Sequence, residues 1–346
     1  MEITGETMNT QVVARPSSAI IRLISRAWSV NRLLTISIAL NLLLIPPVLV
    51  AMFLDPKIIT GVNGWIKPTK FLISATIYGA TFLWLLSYVQ RGRRWTNLVG
   101  SVTGAALIIE IGLIIMQVVR GTTSHFNIAT SFDGAVFSTM GALITLLAVM
   151  NLILAIWLLM QKLPDPVFAW GVRWGVLLSF VGMLVAYLMT MGPTPLQMEA
   201  LRNGAPLTVA GAHSVGVADG GPGLPFVGWS VEGGDLRVPH FFGLHGMQVL
   251  PIVGWLLTHA WARRRWSQRQ RTALVWTAGL CYLGLIILLT WQALRAQSVI
   301  APDGLTWAAY ALLVGSSGLA VLTIDLLGKR VHEPAEISLV ETRPTA

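Results

Sequence analysis

The chain has 346 residues, 54% of them hydrophobic and only 11% charged, with a mean hydropathy of +0.69. A soluble domain carries about a quarter charged residues and a disordered chain has low hydrophobicity, so both classes are excluded; the one cysteine excludes a disulfide scaffold. The net charge of +9 lies mostly between apolar stretches, where membrane topology accounts for it, and gives no reason to invoke nucleic acid.

A hydrocarbon core about 30 Å thick needs about 20 apolar helical residues, because each backbone group must be satisfied within its own segment. Stretches 33–54, 71–90, 96–119, 135–161, 168–191, 240–260, 272–293 and 305–327 qualify. They predict an all-α polytopic protein of the cell membrane with eight transmembrane helices. Lys and Arg gather on one side, as at Arg91, Arg93, Arg94, Arg263, Arg264 and Arg265, which places the N- and C-termini in the cytoplasm.

In chain order, residues 1–32 form a cytoplasmic N-terminal segment. No apolar run with a cleavage site precedes the first span, so a signal peptide is not expected. Within it, 18–31 sets Ile20, Ile21, Ile24 and Trp28 near one helical face, opposite Arg22 and Arg26. That is the pattern of an amphipathic helix lying on a membrane surface. Residues 33–162 make a first four-helix half. Lys67 and Lys70 stand at the outer entry of its second span, where they and Arg120 are candidates for an anion or a lipid headgroup.

Glu110 sits well inside the third span, where an ionised carboxylate is costly. Gln117 follows on nearly the same face, then Arg120 and Ser124-His125-Phe126-Asn127, so a polar stripe climbs to the outer surface. Residues 163–330 make the second half, with an extracytoplasmic lid at 192–238. The lid opens with the capping box Thr194-Pro195-Leu196-Gln197, continues through a glycine-dense stretch, and is too long for a bare connector. In the sixth span His245 and Gln248 share a face, while His240 and His245 are poorly spaced for chelation by one helix. His259 reads as an interface residue and Cys281 as a small buried hydrophobe. Residues 331–346 are a polar cytoplasmic tail.

The chain also repeats itself. Residues 68–95 align without gaps on 239–266: Pro68 with Pro239, Phe71 with Phe242, Trp84-Leu85-Leu86 with Trp255-Leu256-Leu257, and Arg93-Arg94-Trp95 with Arg264-Arg265-Trp266. A four-plus-four duplication accounts for this, with the halves related by an axis along the membrane normal.

Together these residues point to an outward-facing pocket of polar and histidine side chains. The leading expectation is a membrane redox protein binding heme, another transition metal or a quinone. Glu110 and Gln117 would be the catalytic, proton-handling groups. His125, His245 and Gln248 would bind the cofactor, with His125, His240 and His245 as candidate metal ligands. Two alternatives stand beside it: a proton-coupled transporter or receptor for a small extracytoplasmic solute, and a non-catalytic assembly subunit of the membrane.

The layout resembles that of the heme A synthases in its eight spans, inside termini, two four-helix halves and ligands near outer helix ends. His240 or His245 in span six, and His125 just before span four, fall in comparable places. Spans two and eight carry no such histidine, and the family's Glu and His-Arg motifs are missing. The resemblance therefore implies an architecture and transfers no catalytic residue.

Overall fold

The computed structural model describes residues 19–331, with side chains to Leu327. The far N-terminus and the tail from Glu333 lie outside them. Helix α1 (Ala19–Val30) exposes Ile20, Ile21, Leu23, Ile24 and Trp28, as the amphipathic reading expects. Asn31 then caps α2 (Arg32–Leu54) by accepting from the amide of Leu34. A two-residue hairpin, β1 (Ile58–Ile59) with β2 (Val62–Asn63), leads into α3 (Ile66–Leu86), followed by α4 (Arg93–Val119), α5 (Ser131–Met160) and α6 (Pro166–Met189).

The next connection carries the short helix α7 (Pro195–Arg202), with both bonds of the Thr194/Gln197 capping box, and the hairpin β3 (Ser214–Val215) with β4 (Gly234–Asp235). It ends in α8 (Arg237–Leu256). After α9 (Ala260–Arg265) come α10 (Gln268–Leu294), with its own Ser267/Gln270 capping box, and α11 (Gly304–Val331). The helices begin earlier than the apolar stretches because caps and first turns are polar. Cys281 is only partly buried, contrary to the sequence reading, because α10 turns part of its circumference outward.

The protein is an all-helical, multi-pass membrane protein. Among the described residues seven helices, α2, α3, α4, α5, α6, α10 and α11, are long and apolar enough to cross a bilayer. The stretch expected as the sixth span, 240–260, contributes the 20-residue α8, which is not among those seven. Arg237, His240, His245, Gln248 and two prolines dilute its apolar content. What α8 lacks in hydropathy it gains in packing. Gly171, Gly175 and Gly182 of α6 lie against Gly254, Pro251 and Gly246, and Gly243 of α8, in antiparallel order. A Cβ built on Gly182 would lie 2.6 Å from the backbone of Gly243, so two backbones touch where side chains normally intervene.

Elsewhere α2 packs on α3 and α4, α3 on α4, and α4 on α5. In the same manner α6 packs on α8 and α10, α8 on α10, and α10 on α11, with α5 against α6 joining the two sets. Leu34, Leu72, Phe82, Leu85, Leu154 and Leu158 are fully buried in the main core. The apolar window of α11 buries none of its residues within the protein, although the helix rests against α10.

Candidate functional site

The site forms where the loop after α4 turns back into the bundle. Gly121 and Phe126 take left-handed backbone conformations, at φ +78° and +62°. Between them, the Asn127 amide donates to Thr122 Oγ1 at 2.8 Å and to the Thr123 carbonyl at 3.2 Å. Ser124, Phe126 and Asn127 are consequently buried although they belong to a loop. The turn carries His125 inward until its Nε2 lies 4.0 Å from Glu110 Oε1, some two and a half helical turns below the end of α4. His125 Nδ1 is 3.0 Å from Ser124 Oγ, and Phe71 of α3 lies against the ring.

Glu110 is 3% exposed, and among the described residues neither of its oxygens accepts a hydrogen bond. Lys67, in the first turn of α3, interacts electrostatically with Glu110 and with Asp219 and is opposed by Lys70 and Arg237. Among the described residues it makes neither a hydrogen bond nor an ion pair. A carboxyl without a hydrogen-bond donor thus lies beside an imidazole and within electrostatic reach of a lysine that has no hydrogen-bond acceptor among the described residues.

The long connection covers this cluster. Ile128 N donates to Thr208 O and Ala210 N to Phe126 O, both at 2.9 Å, which binds it to the His125 loop. Phe126 wedges between Phe137 and His213, and Gly211 leaves room for its ring, since a Cβ there would lie 2.8 Å from it. His213 Nδ1–H donates to Asp219 Oδ2 at 2.7 Å, and the amides of His213 and Ser214 donate to the same carboxylate. Farther along, Lys70 Nζ donates to the Val227 carbonyl at 3.0 Å and Arg237 to that of Gly228 at 2.6 Å. Arg237 also holds the buried Asp235 through Nε at 2.9 Å. Lys70 and Arg237 thus fasten the cover, and Lys67 stays uncommitted beneath it.

Burial, with Lys67 and His213 adding to it, pulls His125 well below the usual histidine value. Burial also lowers His213, against the pull of Asp219. For Asp219 burial opposes ionisation, but the His213 bond and the two amides outweigh it and hold the carboxyl well below the ordinary range.

The remaining expected residues divide away from this cluster. Gln117 is fully buried, donates to Asp133 Oδ1 at 3.0 Å and accepts from Arg120, which reaches the same carboxylate at 2.6 Å. Thr130 caps α5 and donates to Asp133 Oδ2 at 2.6 Å, so this group ties the end of α4 to the start of α5. His240 Nδ1–H donates to the Gly182 carbonyl at 2.8 Å, across to α6. His245 donates to the carbonyl of its own Phe241 and lies on that ring, 4.0 Å between centroids. Gln248 donates to Thr81 Oγ1 of α3 at 3.0 Å. His259 bonds the Trp255 carbonyl and precedes α9.

Glu110 and His125 are thus brought together, whereas His240, His245 and Gln248 engage other partners. Among the described residues no group of three His, Cys, Asp or Glu side chains gathers as metal ligands. Lys67 and the His213–Asp219 pair complete the cluster, and sequence reasoning did not join them to it. No family model matches the chain, and neither a curated protein nor a solved structure resembles it at a significant level.

Proposed function

We propose that this is an eight-span, proton-coupled carrier or receptor for a small polar solute, built of two related four-helix halves with cytoplasmic termini. The solute carries an anionic oxygen for Lys67 and an N–H or O–H donor for Glu110, as an amino or hydroxy carboxylate does. The observation that carries this reading is the pairing of unspent groups: a buried carboxyl without a donor and, within electrostatic reach, an ammonium without an acceptor. An isolated carboxylate at that depth is costly, so Glu110 holds a proton at rest and releases it when a ligand or water supplies donors. His125, 4.0 Å away and held neutral, lines the way from Glu110 toward the covered end. The connection fastened by Lys70 and Arg237 acts as the gate.

The antiparallel seam with α6 supports a full crossing by α8, since the glycine contacts follow it from Gly243 to Gly254. The shared pairing order of the two helix sets supports the duplication. A heme or metal centre on the outer histidines has less support, because His240 and His245 are bonded to backbone away from Glu110. The proposal therefore routes no step through a metal.

Proteoliposomes enclosing a pH-sensitive dye test the reading against a panel of amino and hydroxy carboxylates. Wild type is expected to change the internal pH when a panel member is added outside. Glu110→Gln should retain less than about a tenth of that rate, while Lys57→Gln, outside the cluster, should keep it. Infrared difference spectra should show a protonated-carboxyl band that vanishes in Glu110→Gln. Absence of solute-driven proton movement, together with an infrared spectrum unchanged by the substitution, would overturn the proposal.

A further inference from the structure

A second site lies at the opposite end of the bundle and is independent of the solute reading. A cleft of about 480 Å³ opens between α3, α6 and α8, lined by Thr81 and Trp84, by Phe168, and by Gln248, Pro251 and Trp255. That volume falls in the range of small-molecule pockets. Trp84 and Trp255, the matching tryptophans of the repeat, are 40% and 53% exposed near the ends of α3 and α8, where aromatic side chains favour a bilayer interface, so the mouth of the cleft is set to open there. Phe168 meets Trp84 edge-on at 6.1 Å between centroids and Tyr88 backs both, which leaves a firm aromatic wall.

The floor of the cleft is polar, and its chemistry is fixed. The Thr81 hydroxyl gives its proton to the Ile77 carbonyl at 2.8 Å, so its oxygen can only accept. Gln248 must therefore turn its amide nitrogen toward Thr81, at 3.0 Å, which leaves Oε1 as the free end. That oxygen is buried and has no hydrogen-bond partner among the described residues. A buried acceptor left unmet is costly, so the site is incomplete without a donor. Gln248 lies about two helical turns deeper than Trp255, beneath headgroup level. A lipid alcohol keeps its hydroxyl among the headgroups. A hydroxylated ring, flat and otherwise apolar, can slide between the aromatic side chains and carry its O–H down to Gln248.

The geometry points to this α3–α8 cleft as a binding site for a membrane-soluble phenol or quinol, with Gln248 Oε1 accepting from the ring hydroxyl. The probe is an alkyl phenol bearing a diazirine, compared with its O-methyl ether, on the full-length protein in lipid nanodiscs. After illumination, labelled peptides are mapped by mass spectrometry. The phenol should label the Thr81–Tyr88 and Gln248–Trp255 segments saturably, at least about fivefold above the ether, since one net hydrogen bond gives a preference of that order. Unlabelled phenol and a short-chain quinol should each compete, and the ratio of their midpoints tells which ring chemistry the cleft prefers. Gln248→Leu should reduce the phenol to the level of the ether, and Gln248→Glu should restore the preference. Equal labelling by phenol and ether in wild type overturns the inference without any variant. Unsaturable labelling spread over all lipid-facing helices overturns it as well.

Discussion

His125 is buried beside an ammonium, and its neutrality gives the protein a pH response of known sign. A histidine whose folded pKa lies below its unfolded value of about 6.5 binds fewer protons folded than unfolded. Its contribution to stability is complete above that value and is lost as pH falls through it toward the folded pKa. His213 acts in the same direction, and Asp219 adds a further loss below the carboxylate range. Melting in detergent is therefore expected to be level above about pH 7 and to decline between pH 6.5 and 5. His125→Gln should flatten part of that decline, and a wild-type curve without a slope there would contradict the assignment. Phe126 is the strained residue of the site, because a non-glycine at φ +62° persists only where its surroundings dictate it. Phe126→Ala should lower melting by the equivalent of about 3 kcal/mol or more and loosen His125 from Glu110. Glu110 was legible in the sequence because a lone carboxyl in an apolar span stands out, and the nearby Ser124-His125 made its partner readable. Lys67 and Lys70 read as surface groups, since nothing local to Lys67-Pro68-Thr69-Lys70 says that a connection more than a hundred residues later folds over them. His213 and Asp219 were hidden for the same reason, in a glycine-rich stretch without periodicity.

At the scale of elements, the seam between α6 and α8 is the most exacting contact. Gly182→Ala should destabilise by about 1–3 kcal/mol, because the new methyl meets backbone at 2.6 Å and cannot be relieved by a rotamer change. Gly141→Ala, with open space around it, serves as the control and should be neutral or slightly stabilising. Equal melting of the two variants would mean that the seam is looser than its geometry. Helix existence was legible from hydropathy and from the Thr194/Gln197 capping box, which formed as read, whereas the Ser267/Gln270 box that opens α10 was not picked out. The glycines of α6 and α8 were visible too, but the pairing of two small-residue faces is a tertiary fact that neither sequence states. Gln117 shows the converse. Its place on the stripe with Glu110 was correct as helix geometry, yet Asp133 and Arg120 claim its amide and turn it into a tie between helices.

For the whole molecule the parity of crossings decides the topology. If α8 spans the bilayer, the Arg-Arg-Trp clusters after α3 and α8 emerge on one face; if it does not, they lie on opposite faces. In a Cys281→Ala background, R93C and R264C should react with an impermeant thiol reagent from the same side, and E199C from the other. Labelling of R93C and R264C from opposite sides would remove both the eighth crossing and the duplication. The repeat that suggested this outcome was readable in only one helix pair, 68–95 and 239–266. Beyond that pair, the proposed duplication is supported only by which helix rests on which, a relation that divergence from a common half would erase more slowly than identity.

The glycine seam also bears on how the chain is made. A segment as polar as α8 does not leave an insertion channel for lipid on its own account. On the proposed crossing it is drawn in by a neighbour already present, and α6, synthesised first, offers a groove that fits it. Insertion of this pair is then a docking event between helices as much as a partitioning event between solvents. A substitution that fills the groove would strand α8 at the membrane surface during biosynthesis, and the cell would meet that error as a misinserted nascent protein before any folded molecule existed to melt.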